Sequence, residues 1–279
     1  MPDLAPVVLA FDLAPESEPA LVAAVDLAAR AGGTLHLVTA RPPDAPDVYR
    51  APSDPEAAVR AVVEVTVDRA LGAGACAEIA PHIAVARGSD PAAEVVRYAD
   101  DVGAGTVVLG TSGRQGVQRF RLGSVAETVV RRSACPALVV PNRSPDRTPG
   151  AERPVLVPVD FSDHSARALA VARSLADLYG AAIEVLHVAD GLAHADAEGD
   201  PPSSEALRAF ARDAGAGDVA AHLAEGDPAA EIARHAEDAG AVVMGTHGRG
   251  GLARAVFGSV AEATLRQVRC PVLVVRPAR

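Results

Sequence analysis

The sequence predicts an α/β protein of two tandem, doubly wound domains, each a parallel sheet with helices on both faces. Three observations carry this. The chain repeats itself: Val7-Val-Leu-Ala-Phe-Asp12 resembles Val155-Leu-Val-Pro-Val-Asp160, and Asp90-Pro-Ala-Ala-Glu94 returns as Asp227-Pro-Ala-Ala-Glu231. Residues 110–141 align without gaps onto 245–276, with just over half the positions identical. Within each repeat, short unbroken apolar runs such as Val107-Val-Leu109 alternate with stretches of helical periodicity, and unbroken apolar strands suit a sheet buried on both faces.

Each repeat is about 130 residues, long enough to close its own core. The domains are expected at 1–143 and 154–279. The Pro-rich polar segment 144–153 between them reads as a linker. In the first half, strand one is expected at 6–11. Helix one follows at about 16–31, with apolar residues three and four apart, and Gly32-Gly33 stops it. Strand two is expected at 34–40, helix two at about 54–71 and strand three near 78–86. Asp90-Pro91 starts helix three, a capping side chain followed by a proline at the first helical position. Strand four is expected at 105–109, helix four at 124–133 and strand five at 137–140. The second half repeats this from 154, with a shortened helix two near 203–214. That makes five strands and about four helices per domain.

Composition narrows the function. Of the 279 residues, 49% are hydrophobic and only 3% aromatic, so the core is aliphatic. The formal charge is −10 and lysine is absent. An acidic chain with few aromatics argues against nucleic-acid binding, and no basic run marks a membrane surface. The 3 cysteines have no disulfide spacing, which points to a reducing compartment. No apolar stretch reaches membrane-spanning length and no signal-peptide pattern opens the chain. A soluble, cytoplasmic protein is expected.

A glycine pattern follows strand four in both halves: Gly110, Gly113, Gly123-Ser124 and Gly245, Gly248, Gly258-Ser259, with the same spacing. It places glycines at the carboxyl end of a strand and again where the next helix begins. Open α/β sheets bind ligands at that edge. Glycines let backbone N–H groups approach an anion, and a helix N-terminus adds unpaired N–H groups and partial positive charge. Arg114 aligns with Arg249 and Arg119 with Arg254, supplying mobile cations. A Walker A loop is excluded because it requires lysine. GxGxxA occurs three times, never after the first strand of a domain, so it carries no weight.

These glycines, an Asp closing strand one, and Cys270-Pro-Val-Leu-Val-Val275 at the last strand together resemble the universal stress protein family over nearly the whole chain. The resemblance implies a five-stranded parallel sheet ordered 3-2-1-4-5 in each half. It also implies ATP binding, with magnesium arriving alongside the nucleotide. Carried over, the glycines with Ser124 or Ser259 would hold phosphates. Asp12 and Asp160 would meet the ribose and adenine end, and Ala40 and Val188 would contact adenine through the backbone. In the order 3-2-1-4-5 the acid of strand one and the loop of strand four flank one crevice. A regulator or nucleotide sensor is the leading reading; a slow ATPase and a scaffold with vestigial pockets are the alternatives.

Other readings of the same residues stay open. Ser124 and Ser259 each precede a glutamate by three, Glu127 and Glu262, which is a capping box. Asp12 and Asp160 would also serve as turn starters into helix one. The first half has Leu13-Ala14 where the second has Phe161-Ser162, and Ser112 where the second has His247. No histidine shows a metal-ligand spacing. Cys135 and Cys270 read as small buried thiols. No set of nucleophile, base and acid stands out. Strands five, Leu138-Val-Val140 and Leu273-Val-Val275, are apolar sheet edges that need covering. The resemblance implies association through the last strand, so an intramolecular pseudo-dimer of the repeats is expected, and a homodimer of the chain beyond it.

Overall fold

The computed structural model describes residues 2–12, 14–41, 55–111, 122–142, 148–189, 202–246 and 258–276. The chain divides into two compact units, one spanning Asp3–Arg143 and the other built from Ser144–Arg279.

The first unit runs β1 (Val7–Ala10), a 3-10 turn (Pro15–Ser17), α1 (Glu18–Ala31), β2 (Leu35–Arg41), α2 (Pro55–Leu71), α3 (Ala75–Ile79), β3 (His82–Arg87), α4 (Pro91–Asp101), β4 (Thr106–Gly110), α5 (Ser124–Arg132) and β5 (Ala137–Val140). β1 lies between β2 and β4, β2 also pairs with β3 and β4 with β5, all parallel. The order is therefore β3-β2-β1-β4-β5, the one the resemblance implied. The second unit runs β6 (Val155–Pro158), α6 (Asp163–Tyr179), β7 (Ile183–Ala189), α7 (Ser204–Asp213), β8 (Ala220–Glu225), α8 (Pro228–His235), β9 (Ala241–Gly245), α9 (Ser259–Gln267) and β10 (Val272–Val275). Its parallel pairs give β8-β7-β6-β9-β10, the same order.

The central strands are buried on both faces. Val7, Val8 and Leu9 have no solvent exposure, nor do Val155 and Val157, and Leu156 has almost none. Against them pack Leu21 and Leu27 of α1 and Leu169 and Ala172 of α6, all fully buried. The missing aromatics cost the core little, because Val and Leu suit a sheet layer sandwiched by alanine-rich helices.

Helix ends follow the expected chemistry. α1 and α6 stop at Gly32 (φ 63°) and Gly180 (φ 60°), each in the left-handed conformation that glycine enters without a Cβ clash. Asp90 Oδ1 accepts from the N–H groups of Ala92 and Ala93, each at 3.1 Å, and Asp227 Oδ1 accepts from Ala230 N at 2.8 Å. Replacing Asp90 by alanine removes the acceptor of both bonds and is expected to destabilise the first unit by about 1 kcal/mol. Chemical denaturation of the wild type and Asp90→Ala checks this; an unchanged midpoint rejects the cap as a stabiliser.

Two local expectations are corrected. Strand three was placed near 78–86, but residues 75–79 form the short helix α3 and the strand begins at His82. Asp68 Oδ1 accepts from Cys76 N at 3.0 Å across the Gly72–Gly74 turn, which satisfies an N–H at the start of that helix and favours it over extended chain. The same backbone bonds hold the Asp68 carboxyl below its ordinary pKa. Helix one was expected from residue 16; the chain instead makes a 3-10 turn over Pro15–Ser17 before α1 begins at Glu18.

A titratable cluster sits at the amino edge of the first sheet. The His36 ring stacks on His82 with centroids 4.8 Å apart, and its Nδ1 lies 3.0 Å from the Tyr98 hydroxyl. Burial, and secondarily the His82 charge, hold the His36 pKa below its ordinary value. A lowered histidine pKa means the unfolded chain takes up the proton first as pH falls. Stability is then fully present above about pH 6.5 and declines as pH drops through that value toward the folded pKa. The thermal midpoint of the wild type should fall between pH 7.5 and 5.5 more steeply than that of His36→Gln; parallel curves would reject this cluster as the cause.

Candidate functional site

The strand registers level several expected residues at one sheet edge. Ala10 of β1 pairs with Val38 of β2 and Leu109 of β4. Two residues further, a step of about 7 Å along an extended chain, the same rows hold Asp12, Ala40 and Thr111. In the second unit Pro158 pairs with Leu186 and Leu156 with Val242; the same offsets carried past the paired residues reach Asp160, Val188 and Thr246. This edge lies outside the carboxyl ends of β1 and β4, or β6 and β9, where the strand order reverses.

Both aspartates are half-buried and held in place. Asp12 Oδ1 accepts from Ala14 N at 3.1 Å and from the Ser17 hydroxyl at 2.6 Å. Asp160 Oδ1 accepts from Ser162 N at 3.1 Å and from the Ser162 hydroxyl at 2.6 Å. The turn-starting role of both aspartates is therefore observed.

The glycine loops leave the sheet through matching necks. Gly123 N donates to Thr111 O at 2.8 Å, and Gly258 N donates to Thr246 O at 2.8 Å. Thr111 N in turn donates to Val140 O at 3.1 Å, and Thr246 N to Val275 O at 3.2 Å. Each neck ties the first turn of α5 or α9 to the end of β4 or β9. Gly110 closes β4 and the neck bond brings Gly123, followed by Ser124, to Thr111 just beyond it; Gly245 closes β9 and Gly258, followed by Ser259, is brought to Thr246 in the same way. Gly245 has a packing reason as well, because a Cβ there would lie 3.0 Å from His164 Cβ in the first turn of α6. Gly113, Arg114, Arg119, Gly248, Arg249, Arg254 and His247 lie outside the described residues.

The capping-box expectation is corrected. The N-cap residues are Gly123 and Gly258, and neither helix start carries a side-chain cap bond. Ser124 and Ser259 are the first helical residues and are solvent-exposed. The glutamates turn away along the helix, Glu127 to Arg131 and Glu262 to Arg266. The box fails because the chain enters each helix one residue earlier than the serine–glutamate spacing requires.

Glycine is not forced at these caps by backbone geometry. Gly123 has φ −62° and ψ 151°, Gly258 φ −61° and ψ 139°, both in the extended region open to any residue. Serine, aspartate or asparagine there would accept from the first-turn N–H groups and stabilise the helix. With glycine, the N-cap residue itself brings no side-chain acceptor to those donors and their partial positive charge.

Two features escaped the sequence reading. Ser17 is one; its only sequence signal is a serine five residues after the aspartate in both halves. The other is an aromatic group beside Val188. His187 is buried and its Nδ1–H donates to Val159 O at 2.7 Å. Phe161, held at φ 61°, packs edge-on against His187 and Phe210, with centroids 5.1 and 5.2 Å away. Thr39 occupies the position of His187 in the first unit.

Two of the cysteines are shifted away from the thiolate form. All 3 are free. Burial pushes the Cys135 thiol up to about 11 and also raises that of Cys76. Among the described residues no group of three His, Cys, Asp or Glu side chains is placed to hold a metal ion. No helix among them is long and apolar enough to cross a membrane.

Sheet order and paired glycine necks together define a tandem doubly wound α/β protein. Comparison with known proteins narrows the class. A sequence profile described as the universal stress protein family matches residues 5–141 and 152–276, so the chain belongs to that family, with two copies of its domain. A universal stress protein of Mycobacterium tuberculosis is 34% identical over 180 residues, 61% of this chain and 61% of that protein, so the match spans under two thirds of the relative. The crystal structure of a universal stress protein from Archaeoglobus fulgidus has the same fold along 97% of this chain and 98% of its own, with a TM-score of 0.67 and 20% identity. A shorter universal stress protein from Archaeoglobus fulgidus, solved in complex with dAMP, is 26% identical, covers 44% of this chain and 97% of its own, and has a TM-score of 0.33.

Proposed function

We propose that each repeat binds an adenine nucleotide, ATP with magnesium, at the carboxyl edge of its sheet, and that the chain acts as a nucleotide-responsive regulator in the cytoplasm. The observation that supports this most is the uncapped glycine start of α5 and α9. Two helices in one chain forgo a favourable cap at the same place, with backbone angles that would accept a capping residue, and each unit also holds its strand-one carboxylate with a serine hydroxyl. A phosphate satisfies those donors in the way a cap would.

In this reading the N–H groups at Gly123–Ser124 and Gly258–Ser259, with Gly110, Gly113, Gly245 and Gly248, hold the phosphates. Arg114 and Arg249 neutralise their charge. Asp12 and Asp160 accept from ribose hydroxyls, and the backbones of Ala40 and Val188 meet the adenine edge. Magnesium fits as a phosphate-borne ion that keeps most of its water, since the described side chains offer it no cage of their own. Three cysteines outside any disulfide agree with a reducing cytoplasm.

The test is mass spectrometry of the ligand released by heating the purified protein, together with thermal shift on adding ATP and magnesium. Adenine nucleotide at up to two per chain, with a raised thermal midpoint, is expected. Protein free of nucleotide that shows no shift would sink the reading.

A further inference from the structure

In both units the same oxygen of the candidate ribose-facing carboxylate takes the same two kinds of bond. One donor is the backbone N–H two residues on, Ala14 N for Asp12 and Ser162 N for Asp160, each at 3.1 Å. The other is a serine hydroxyl at 2.6 Å. The serines are not equivalent in sequence. The first unit has Ala14 opposite Ser162, so it lacks the serine the second unit uses. It draws on Ser17, three residues later and opposite Ser165, whose own hydroxyl donates instead to Ser162 O at 2.9 Å.

The backbone between carboxylate and serine differs as well. The second unit goes straight into α6, with Ser162 at its N-cap. The first inserts the 3-10 turn Pro15–Ser17. Ser17 stands at the N-cap of α1 but makes no cap bond; its buried hydroxyl is committed to Asp12. Its backbone (φ −90°, ψ −3°) continues the 3-10 turn into the helix, so its side chain is not placed to cap α1 and serves the carboxylate instead. What the two units share is neither the 3-10 turn nor the helix start but the pair of bonds that holds the carboxylate. Short bonds to a charged acceptor fix its plane, and with it the direction of the second oxygen.

We infer that Ser17 and Ser162 are positioning residues that orient Asp12 and Asp160 toward the nucleotide's ribose, an inference that rests on the nucleotide reading above. The two serines reach one geometry by different routes, so each repeat keeps a pre-aimed acceptor despite the sequence differences around it. A pre-aimed acceptor binds a hydroxyl without first being ordered.

Calorimetric titration of the full-length protein with ATP and magnesium tests this. Ser17→Ala is read in a Gly258→Asp background, which disables the second site, and Ser162→Ala in a Gly123→Asp background. Each serine change is expected to weaken ATP binding about tenfold, the scale of one aimed hydrogen bond to a charged group. Each should add less than about twofold once its partner is Asp12→Asn or Asp160→Asn, because coupled groups are not additive. A merely structural serine would lower the thermal midpoint equally in both backgrounds and leave affinity alone, and that outcome overturns the inference. If Ser17→Ala does not fold, Ser162→Ala carries the same test. Wild-type protein that fails to bind ATP overturns the nucleotide reading itself; wild-type binding with unaffected serine variants overturns only the positioning role.

Discussion

Aspartate in place of Gly258 is expected to leave the second unit folded and slightly more stable while abolishing nucleotide binding there; Gly123→Asp should do the same in the first. The backbone angles at both positions suit a capping residue, so the new side chain accepts from the first turn of α9 or α5 without strain. Aspartate exceeds glycine as an N-cap by a few tenths of a kcal/mol, and its charge adds a comparable amount beside the helix N-terminus. The gain is therefore about 0.5 kcal/mol. For a phosphate the same change is adverse twice. The carboxylate takes the N–H donors, and its charge repels the ligand by roughly 4 kcal/mol at about 4 Å near a protein surface before salt screening. Loss of about 100-fold or more in ATP affinity follows. Denaturation and calorimetry on one preparation separate the two effects. If ATP binds as tightly to Gly258→Asp, Gly123→Asp protein as to the wild type, the helix starts are not the phosphate site.

Alanine at Gly240 or Gly105 should damage the fold without touching the ligand edge. These aligned glycines precede β9 and β4. A Cβ on Gly240 would lie 2.4 Å from Pro149 Cα and 2.7 Å from Thr148 O; one on Gly105 would lie 2.5 Å from Leu4 C and 2.6 Å from Ala5 O. The obstacles are backbone, which cannot rotate aside. Each glycine also donates its N–H at 2.9 Å, Gly240 to Pro154 O and Gly105 to Pro6 O, so the segment that would have to retreat is tied down close by. Overpacking against fixed backbone costs about 3 kcal/mol or more, a fall of roughly 10 °C in the midpoint of a domain this size. Gly150→Ala is the control, because nothing lies within 4 Å of a Cβ there and its φ is ordinary. Equal midpoints for Gly240→Ala and Gly150→Ala would show that the entering segment shifts freely. The packing also shows that 148–153, expected to be linker, is partly built into the second unit: Gly150 and Arg153 exchange backbone bonds at 3.0 and 3.1 Å just ahead of β6.

Much of the fold was legible because its signals are local. Val107-Val-Leu109 is apolar on both faces, Asp90-Pro91 carries its own cap, and Gly32 ends α1 by the freedom of its own backbone. The repeat then checked each element against its twin. Helix α3 escaped because its cap comes from Asp68, eight residues back across a glycine turn, and no window centred on the Ala75–Ile79 run contains that bond's geometry.

By itself the sequence determined the repeat, the alternation of strands and helices, the family, and the glycines and aspartates worth examining, since spacing and composition are properties of the chain alone. The tertiary structure decided what those residues do for one another. It set Gly123 and Gly258, rather than the serines, at the helix starts. It turned Glu127 and Glu262 away toward arginines. It brought Ser17 to Asp12 where the second unit uses Ser162. Each of these depends on where the chain enters a helix to within one residue, and packing against the sheet fixes that entry more tightly than local propensity can.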